Sequence, residues 1–275
     1  MISQEIVVYK PASVAEAFDA YSDAGDRGLA PRYYSGGSEI VTMARDGKIR
    51  AGALVDLKGI SEASGATERE GEIRFGANLR LTEVVESAPW SLLSLAAGGI
   101  ADRTVRNSVT LGGNICGHLP YREAVLPFLL TDTVAEVAGP DGIREAPLRE
   151  LFDKRIRLGE GEFLLALRVP SEVTEFPAAY RRRTKDSRMD YPLVTLAALK
   201  SPEGVRLSVA GAFSAPRRIS EVEGALGEGA TPQEAVAKIG VSCKSDFRGS
   251  GEYRRALLEL SVAEVVEELH GGRER

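Results

Sequence analysis

Two glycine pairs, each set in a polar turn, constrain this chain more than any other feature. The first is Ser35-Gly36-Gly37-Ser38, which follows the short aromatic run Tyr33-Tyr34. The second, Gly112-Gly113, sits inside the segment Asp102–Asp132, DRTVRNSVTLGGNICGHLPYREAVLPFLLTD, and is followed by Asn114, a short apolar step and an expected helix. Glycine carries no Cβ, so the backbone at such turns can run close to a bulky polar ligand. Amides freed in the turn can face an anionic group. Two turns of this kind, far apart in sequence, suggest two walls around one extended ligand.

The bulk properties narrow the classes. At 275 residues the chain is long enough for one large domain or two modest ones, each with its own core. A net charge of −5 offers no basic surface for a nucleic-acid backbone, so no nucleic-acid partner is expected. The local run Arg181, Arg182, Arg183 and Lys185 reads as a solvated strand edge or subunit contact, ahead of a phosphate clamp. The start, MISQEIVVYKPAS, has neither the basic nor the apolar region of a signal peptide. No apolar run approaches the roughly 20 residues that span a bilayer. A cytoplasmic protein without a membrane role is the expectation. Cys116 and Cys243 are the only cysteines, too few for a disulfide framework or an internal four-cysteine iron–sulfur cluster. Two histidines, His118 and His270, leave little for a zinc site made by this chain alone.

Periodicity gives the order of elements. A strand at Glu5-Tyr9 precedes a helix with Ser13 as N-cap and Val14, Ala17, Phe18 and Tyr21 along one face. Tyr33-Tyr34-Ser35 and Ala53-Leu57 read as short strands, the latter ending at the turn Lys58-Gly59. A second unit starts near Glu72 with the strand Ile73-Ala77. Thr82 opens a helical stretch that Pro89 re-nucleates, with Trp90, Leu92, Leu93 and Leu95 as core candidates. Val134-Ala138 leads into a Gly139-Pro140-Asp141-Gly142 hairpin turn, and Phe163-Val169 is a strand closed by Pro170. From about Glu175 three strands of an antiparallel meander are expected, Ala179-Arg183, Leu193-Leu199 and Val205-Phe213, joined in part by Pro202-Glu203-Gly204. Helices follow at Ile219-Leu226, Thr231-Ile239 and about Glu252 to Leu269, the last with a core or interface stripe of Leu258, Val262, Val265, Val266 and Leu269. The fold class is α+β, with a boundary near Ser171-Phe176, and not a doubly wound sheet.

Several chemistries lack their motifs. No G-x-G-x-x-G sits between a strand and a helix, no Walker A loop occurs, and no G-x-S-x-G elbow is present. His118, the one histidine placed for catalysis, reads first as a surface residue. What remains is a non-Rossmann groove lined by two glycine turns, and here four stretches point to a family. SGGSEI resembles the AGG-x-x-L turn of the flavin-binding subunits of molybdenum hydroxylases, which include xanthine dehydrogenase and the medium subunit of carbon monoxide dehydrogenase. RTVRNSVTLGGNI resembles the Q-V-R-N-x-x-T-I-G-G-N-[IL] motif of that family. YRRRTKDSRMDYPLVTLAA is similar to its Y-x-K-x-x-R-R-x-x-x-D-x-x-x-V-x-x-A strand pair, and SDFRGSGEYRRALL to its D-x-R-G-S-x-x-Y-R-x-x-L helix entry. The four occur in the family's order across about residues 5–270.

The resemblance implies a PCMH-type, non-Rossmann FAD-binding domain over residues 1–172, with subdomains of about 1–60 and 61–172. A C-terminal domain, 173–275, would hold a three-stranded antiparallel sheet and a helical bundle. It implies FAD in an extended pose. Ser35, Gly36, Gly37, Ser38 and Glu39 would offer backbone amides to the pyrophosphate. Tyr33 and Tyr34 would lie along the ribityl and adenosine parts, with strand core as the equal alternative. Thr110, Gly113 and Asn114 would line the other wall, and Gly117 the small position beside the flavin. Glu123 stands where the family carries Asp, as an acceptor for ribose or ribityl hydroxyls. Leu164 would pack near the flavin or serve only as a buried strand residue. Arg182, in place of a common Lys, would bring a cation to the flavin's pyrimidine oxygens and stabilise the reduced ring.

The chain itself offers no nucleophile, general acid or metal, so no catalytic residue is assigned. The resemblance implies an electron-transfer subunit: a separate molybdenum-cofactor subunit oxidises the substrate, a [2Fe–2S] subunit relays electrons, and FAD on this chain passes them to NAD⁺ or another acceptor. The alternative is a scaffold or assembly module that keeps the fold without redox work, suggested by the departure GHLPYRE at residues 117–123, where the family has A-x-x-x-P-x-x-D. There His118, Tyr121 and Arg122 would crowd the flavin edge.

Overall fold

The first helix, Val14–Asp26, begins where Ser13 predicts. The Ser13 hydroxyl accepts from the Glu16 amide, and the Glu16 carboxylate reaches back to the Ala12 amide. This helix connects strands Val7–Tyr9 and Pro31–Tyr34, which run parallel and therefore need a crossover instead of a hairpin. Both pair with the strand Ala53–Asp56, which lies between them. The structure, a computed structural model, describes residues 5–186 and 189–271. Ser187 and Arg188 of the third motif lie outside the described residues.

The chain is divided between two compact units, and it passes between them repeatedly instead of once. The first comprises Met1–Val84, Arg103–His118 and Thr133–Val169; the second comprises Val85–Asp102, Leu119–Asp132 and Pro170–Arg275. Besides its parallel sheet, the first unit holds a five-stranded sheet in the order Ala66–Arg69, Glu72–Gly76, Phe163–Pro170, Val134–Gly139 and Gly142–Pro147. The hairpin between its first two strands turns at Glu70-Gly71, both at positive φ, as a two-residue hairpin loop demands. The expected turn at Gly139–Gly142 joins the last two strands, with Gly142 at φ +97. Ala17, Val55, Ile60, Phe163 and Leu165 form the centre of this unit's core.

The second unit is built on an antiparallel meander, Ala178–Thr184, Pro192–Ser201, Gly204–Ala210 and Arg217–Arg218. It has four strands, not the three expected. The extra strand, Arg217–Arg218, is two residues long and leaves no alternation to detect. Phe213 lies beyond the third strand, whose end is set by Gly211 at φ +80, where a Cβ would stand 2.8 Å from the Leu193 carbonyl oxygen. Helices Ser220–Gly227, Pro232–Ala237 and Gly251–Gly271 cover the sheet, and Leu258, Val262, Val265 and Leu269 of the last are buried, as their spacing predicts. Val266 is partly buried at the edge of the same cluster. At the helix Ser91–Gly98, the N-cap Trp90 and the helical Leu92 and Leu93 are buried, whereas Leu95 is 51% exposed and leaves the expected core. No helix among the described residues is long and apolar enough to cross a membrane.

The motif SDFRGSGEYRRALL closes this unit from within. Arg254 is fully buried, and its Nη1 donates to the carbonyls of Leu193 and Gly211, both at 2.9 Å. Its Nη2 donates to Asp246 Oδ1 at 2.6 Å. The long helix is thereby tied to two points of the meander through one guanidinium.

Candidate functional site

The strand Pro31–Tyr34 delivers Ser35, Gly36 and Gly37 directly to the helix Ser38–Arg45, an element that periodicity did not predict. Gly37 is its N-cap at φ +71, with no side-chain cap. The amides of Ser38 and Ile40 find no acceptor among the described residues. A helix start with unsatisfied donors and the positive end of the dipole suits an anion. The loop before it is fixed on both sides. The Ser35 hydroxyl donates to Asn78 Oδ1 at 2.8 Å, and Lys58 Nζ donates to the Ser35 carbonyl at 3.2 Å. Lys58 also pairs with Asp56 at 2.7 Å and lies 4.3 Å from the Tyr34 ring centroid.

The second glycine segment folds onto residues 77–81. Leu111 N–H donates to the Leu79 carbonyl at 2.7 Å, Gly112 N–H to Ala77 at 2.8 Å, and Leu81 N–H to Val109 at 2.9 Å. Thr110, 2% exposed, caps the helix Leu111–Cys116 by accepting from the Gly113 amide at 3.2 Å. Asn114 is half-buried on that helix, its amide donated to the Thr110 carbonyl.

The glycines have a different use from the one their lack of a side chain suggests. A Cβ on Gly36 would stand 2.1 Å from the Ser108 carbonyl oxygen, and one on Gly112 would stand 2.6 Å from Ala77 Cβ. At Gly37 it would meet the Tyr34 ring at 2.1 Å. Close approach of chain to chain, not of chain to ligand, is what these three positions require. The Gly36–Ser108 contact also brings the two glycine segments together.

Around that contact lies a polar cleft of about 370 Å³, lined by Tyr34, Ser35, Gly36 and Thr110 of the expected site. Sequence reasoning missed Lys58, Asn78, Arg80, Asn107 and Ser108, which line it as well. Lys58 read only as a turn residue, and Asn78 and Arg80 fall between the expected strand Ile73-Ala77 and the helical stretch from Thr82, where no pattern marks them. Glu39 and Gly117 meet at the far end of the two segments: both Glu39 oxygens accept from the His118 amide, at 3.0 and 2.8 Å.

Two of the expected site residues, Tyr33 and Leu164, make core contacts. The Tyr33 ring stacks on Tyr21 and tilts against Phe163, each at 4.7 Å between centroids, and its hydroxyl donates to the Gly161 carbonyl at 2.7 Å. Burial pushes its pKa well above that of an ordinary tyrosine. Leu164 is 4% exposed in the strand Phe163–Pro170, opposite Val137.

Glu123 and Arg182 belong to the second unit and are partners there. Arg182 Nε donates to Glu123 Oε1 at 2.8 Å, and the carboxylate also accepts from Thr195 at 2.6 Å and Tyr180 at 3.4 Å. Arg182 Nη2 is further committed to the Asp190 carbonyl at 2.7 Å. Burial raises the Glu123 pKa and the Arg182 charge opposes it. Tyr121 and Arg122 of the departing loop are buried as well, Tyr121 stacked on Tyr191 at 4.7 Å, whereas His118 and Leu119 are exposed. The neighbouring arginines do not form an open phosphate clamp: Arg181 pairs with Glu264 and Glu268, and Arg183 with Glu264.

The comparisons with known proteins agree with this architecture. The family described as the FAD binding domain in molybdopterin dehydrogenase matches residues 3–172. The xanthine dehydrogenase FAD-binding subunit of Escherichia coli O157:H7 is 25% identical, with 94% of both chains covered. The carbon monoxide dehydrogenase medium chain of Hydrogenophaga pseudoflava is 26% identical, with 97% of both covered. Among solved structures, a carbon monoxide dehydrogenase from Hydrogenophaga pseudoflava superposes with a TM-score of 0.88 at 24% identity, over 98% of this chain and 99% of that one. Quinoline 2-oxidoreductase from Pseudomonas putida 86 gives 0.85 at 21% identity, over 98% of each chain. At these identities the superpositions show a shared fold. The uncapped helix start after Gly37 and the hydroxyl- and amide-lined cleft provide the donors that a dinucleotide pyrophosphate requires, so FAD fits the residues present. The chain therefore belongs to the family of FAD-binding domains in molybdopterin dehydrogenases, as an oxidoreductase subunit of the xanthine and carbon monoxide dehydrogenase type whose cofactor is FAD.

Proposed function

We propose that this chain is the electron-handling subunit of a molybdenum hydroxylase assembly. It receives electrons from the [2Fe–2S] clusters of one partner subunit, which draws them from a molybdenum-cofactor subunit where the substrate is oxidised. It delivers them to NAD⁺ or another acceptor. Bound FAD supplies a carrier that can be loaded by single electrons and discharged in pairs. The chain's own residues bind and orient it. The amides at Ser38 and Ile40, with the loop from Ser35, hold the pyrophosphate, and Thr110, Gly113 and Asn114 form the second side. The helix start at Gly37, whose Ser38 and Ile40 amides find no acceptor among the described residues, carries this reading.

A flavin visible spectrum in the purified chain, rapidly bleached by NADH, is the expected outcome. A protein that takes up no added FAD would overturn the reading. One observation favours the second reading, a scaffold without redox work. The Glu123 carboxylate is occupied by Arg182, Thr195 and Tyr180, which leaves it less available to a ligand hydroxyl. Bound flavin that neither NADH nor the reduced iron–sulfur partner can reduce would favour that scaffold.

A further inference from the structure

We propose that Glu39 is a positioning residue: its carboxylate fastens the two glycine-bearing segments of the flavin site to each other at the end opposite the Gly36–Ser108 contact. The proposal rests on the FAD reading for its ligand effects and on geometry alone for the fastening.

Glu39 occupies the first turn of the helix Ser38–Arg45, whose backbone is set by the left-handed Gly37 and by the Val41 amide donating to the Gly37 carbonyl at 2.9 Å. From there its side chain reaches residue 118, where the backbone N–H donates to both carboxylate oxygens at 3.0 and 2.8 Å. The His118 Nδ1 lies 3.6 Å from Oε2. The receiving turn is shaped around this carboxylate. A Cβ on Gly117 would stand 2.9 Å from Glu39 Oε2, so the small residue there makes room for Glu39. The resemblance had assigned that small position to the flavin.

Consider what each end of the link is joined to. At one end are the helix-start amides of Ser38 and Ile40, rigidly coupled to the Glu39 backbone. At the other, Gly117 ends the helix Leu111–Cys116, whose start carries Thr110 and Gly113. Both segments are also anchored on residues 77–81, through Ser35 on Asn78 and through Leu111 and Gly112 on Leu79 and Ala77, and two direct contacts join them to each other. One is the backbone packing of Gly36 on Ser108, and the other is the Glu39–His118 hydrogen bond. With the Glu39 bond removed, the segments stay joined near Gly36 and residues 77–81, and the end at residues 117–118 is released. A carboxylate accepting from a backbone amide forms a charge-assisted bond, stronger than a neutral one. It also explains why an acidic side chain is compatible with an anion site: both oxygens are turned to His118.

The test uses the full chain, with Glu39→Ala and Glu39→Gln. Amide hydrogen exchange of the FAD-free proteins reads the fastening directly. Exchange around residues 113–119 should accelerate in E39A and stay close to wild type in E39Q, whose amide oxygen can still accept. FAD, which needs both segments, should bind E39A roughly tenfold or more weakly, as expected for loss of one charge-assisted bond. ADP, whose pyrophosphate the amides at Ser38 and Ile40 would hold without the helix Leu111–Cys116, should change far less. Exchange at 113–119 that is unchanged in E39A would overturn the fastening, and equal losses for FAD and ADP, or none for FAD, would overturn the positioning role. If E39A does not fold, the decision passes to E39Q: loss of protection as complete as in a denatured chain goes against the proposal. Wild-type protein that binds no FAD would end the FAD reading while the exchange result still judges the fastening.

Discussion

Glu123 carries a carboxylate that is 4% exposed, opposite an Arg182 side chain that is 10% exposed. Desolvating both charges is costly, and the structure offsets that cost with bonds to the carboxylate from Arg182, Thr195 and Tyr180. Removing one partner would leave the other charge buried alone. Arg182→Ala should therefore cost about 3–5 kcal/mol, whereas the double variant Glu123→Gln with Arg182→Met should recover much of it. Chemical denaturation of the three proteins checks this; an Arg182→Ala loss below about 1 kcal/mol would show that water reaches the site. The two residues lie fifty-nine apart in sequence. Read along the chain, they are two isolated departures, Glu for Asp and Arg for Lys. In space they are a single ion pair.

At the scale of elements, the long helix Gly251–Gly271 is attached to the meander through Arg254 and Asp246. Burial works to raise the Asp246 pKa, but bonds from Lys244, the Arg248 amide and Arg254 outweigh it and hold the carboxyl well below the usual carboxylate range. A depressed folded-state pKa adds stability above the unfolded value of about 3.9, and that stability drains away as pH falls through the folded value. Wild type should melt well above Asp246→Asn at pH 7, and the gap should narrow steadily in acid below about pH 4. A gap independent of pH would rule out this ion pair as its source. Much of this layer was legible in the sequence: the three longer strands of the meander, the three C-terminal helices and the buried stripe of the last one. Leu95 was misplaced although its spacing held the answer. Leu92, Leu93, Ala96 and Ala97 bury one stripe of their helix, and position 95 falls on the opposite face. The helix Ser38–Arg45 was invisible because a left-handed glycine starts it, with no Ser, Thr, Asp or Asn cap to announce it. The segments that carry the glycine pairs meet at the cleft, and Gly36 and Gly112 face Ser108 and Ala77 instead of open space. No local pattern encodes the Glu39–His118 link, whose ends are seventy-nine residues apart.

On the scale of the whole molecule, both units are discontinuous in sequence. Trp90 and Phe128 meet edge to face at 5.5 Å in the second unit, far from the C-terminal segment in sequence but built on it. The Ser208 hydroxyl donates to the Leu126 carbonyl at 2.8 Å, and Arg206 to Leu130 at 2.9 Å. A fragment ending at residue 172 contains the whole family match yet lacks the sheet these apolar residues pack on. Expressed alone, it should be poorly soluble or expose hydrophobic surface to a dye such as ANS, whereas the full chain should not. A fragment with cooperative unfolding and native-like exchange protection would contradict this. The same interleaving has a consequence for biosynthesis. Residues 85–102 and 119–132 leave the ribosome well before the strands Pro192–Ser201 and Gly204–Ala210 exist. At roughly 5–20 residues per second, that is a wait of several seconds with Trp90, Leu92 and Phe128 unburied. Arg254, which ties down Leu193 and Gly211, emerges later still. The nascent chain must therefore be shielded during its middle third, and chaperone demand should peak there and not at its end.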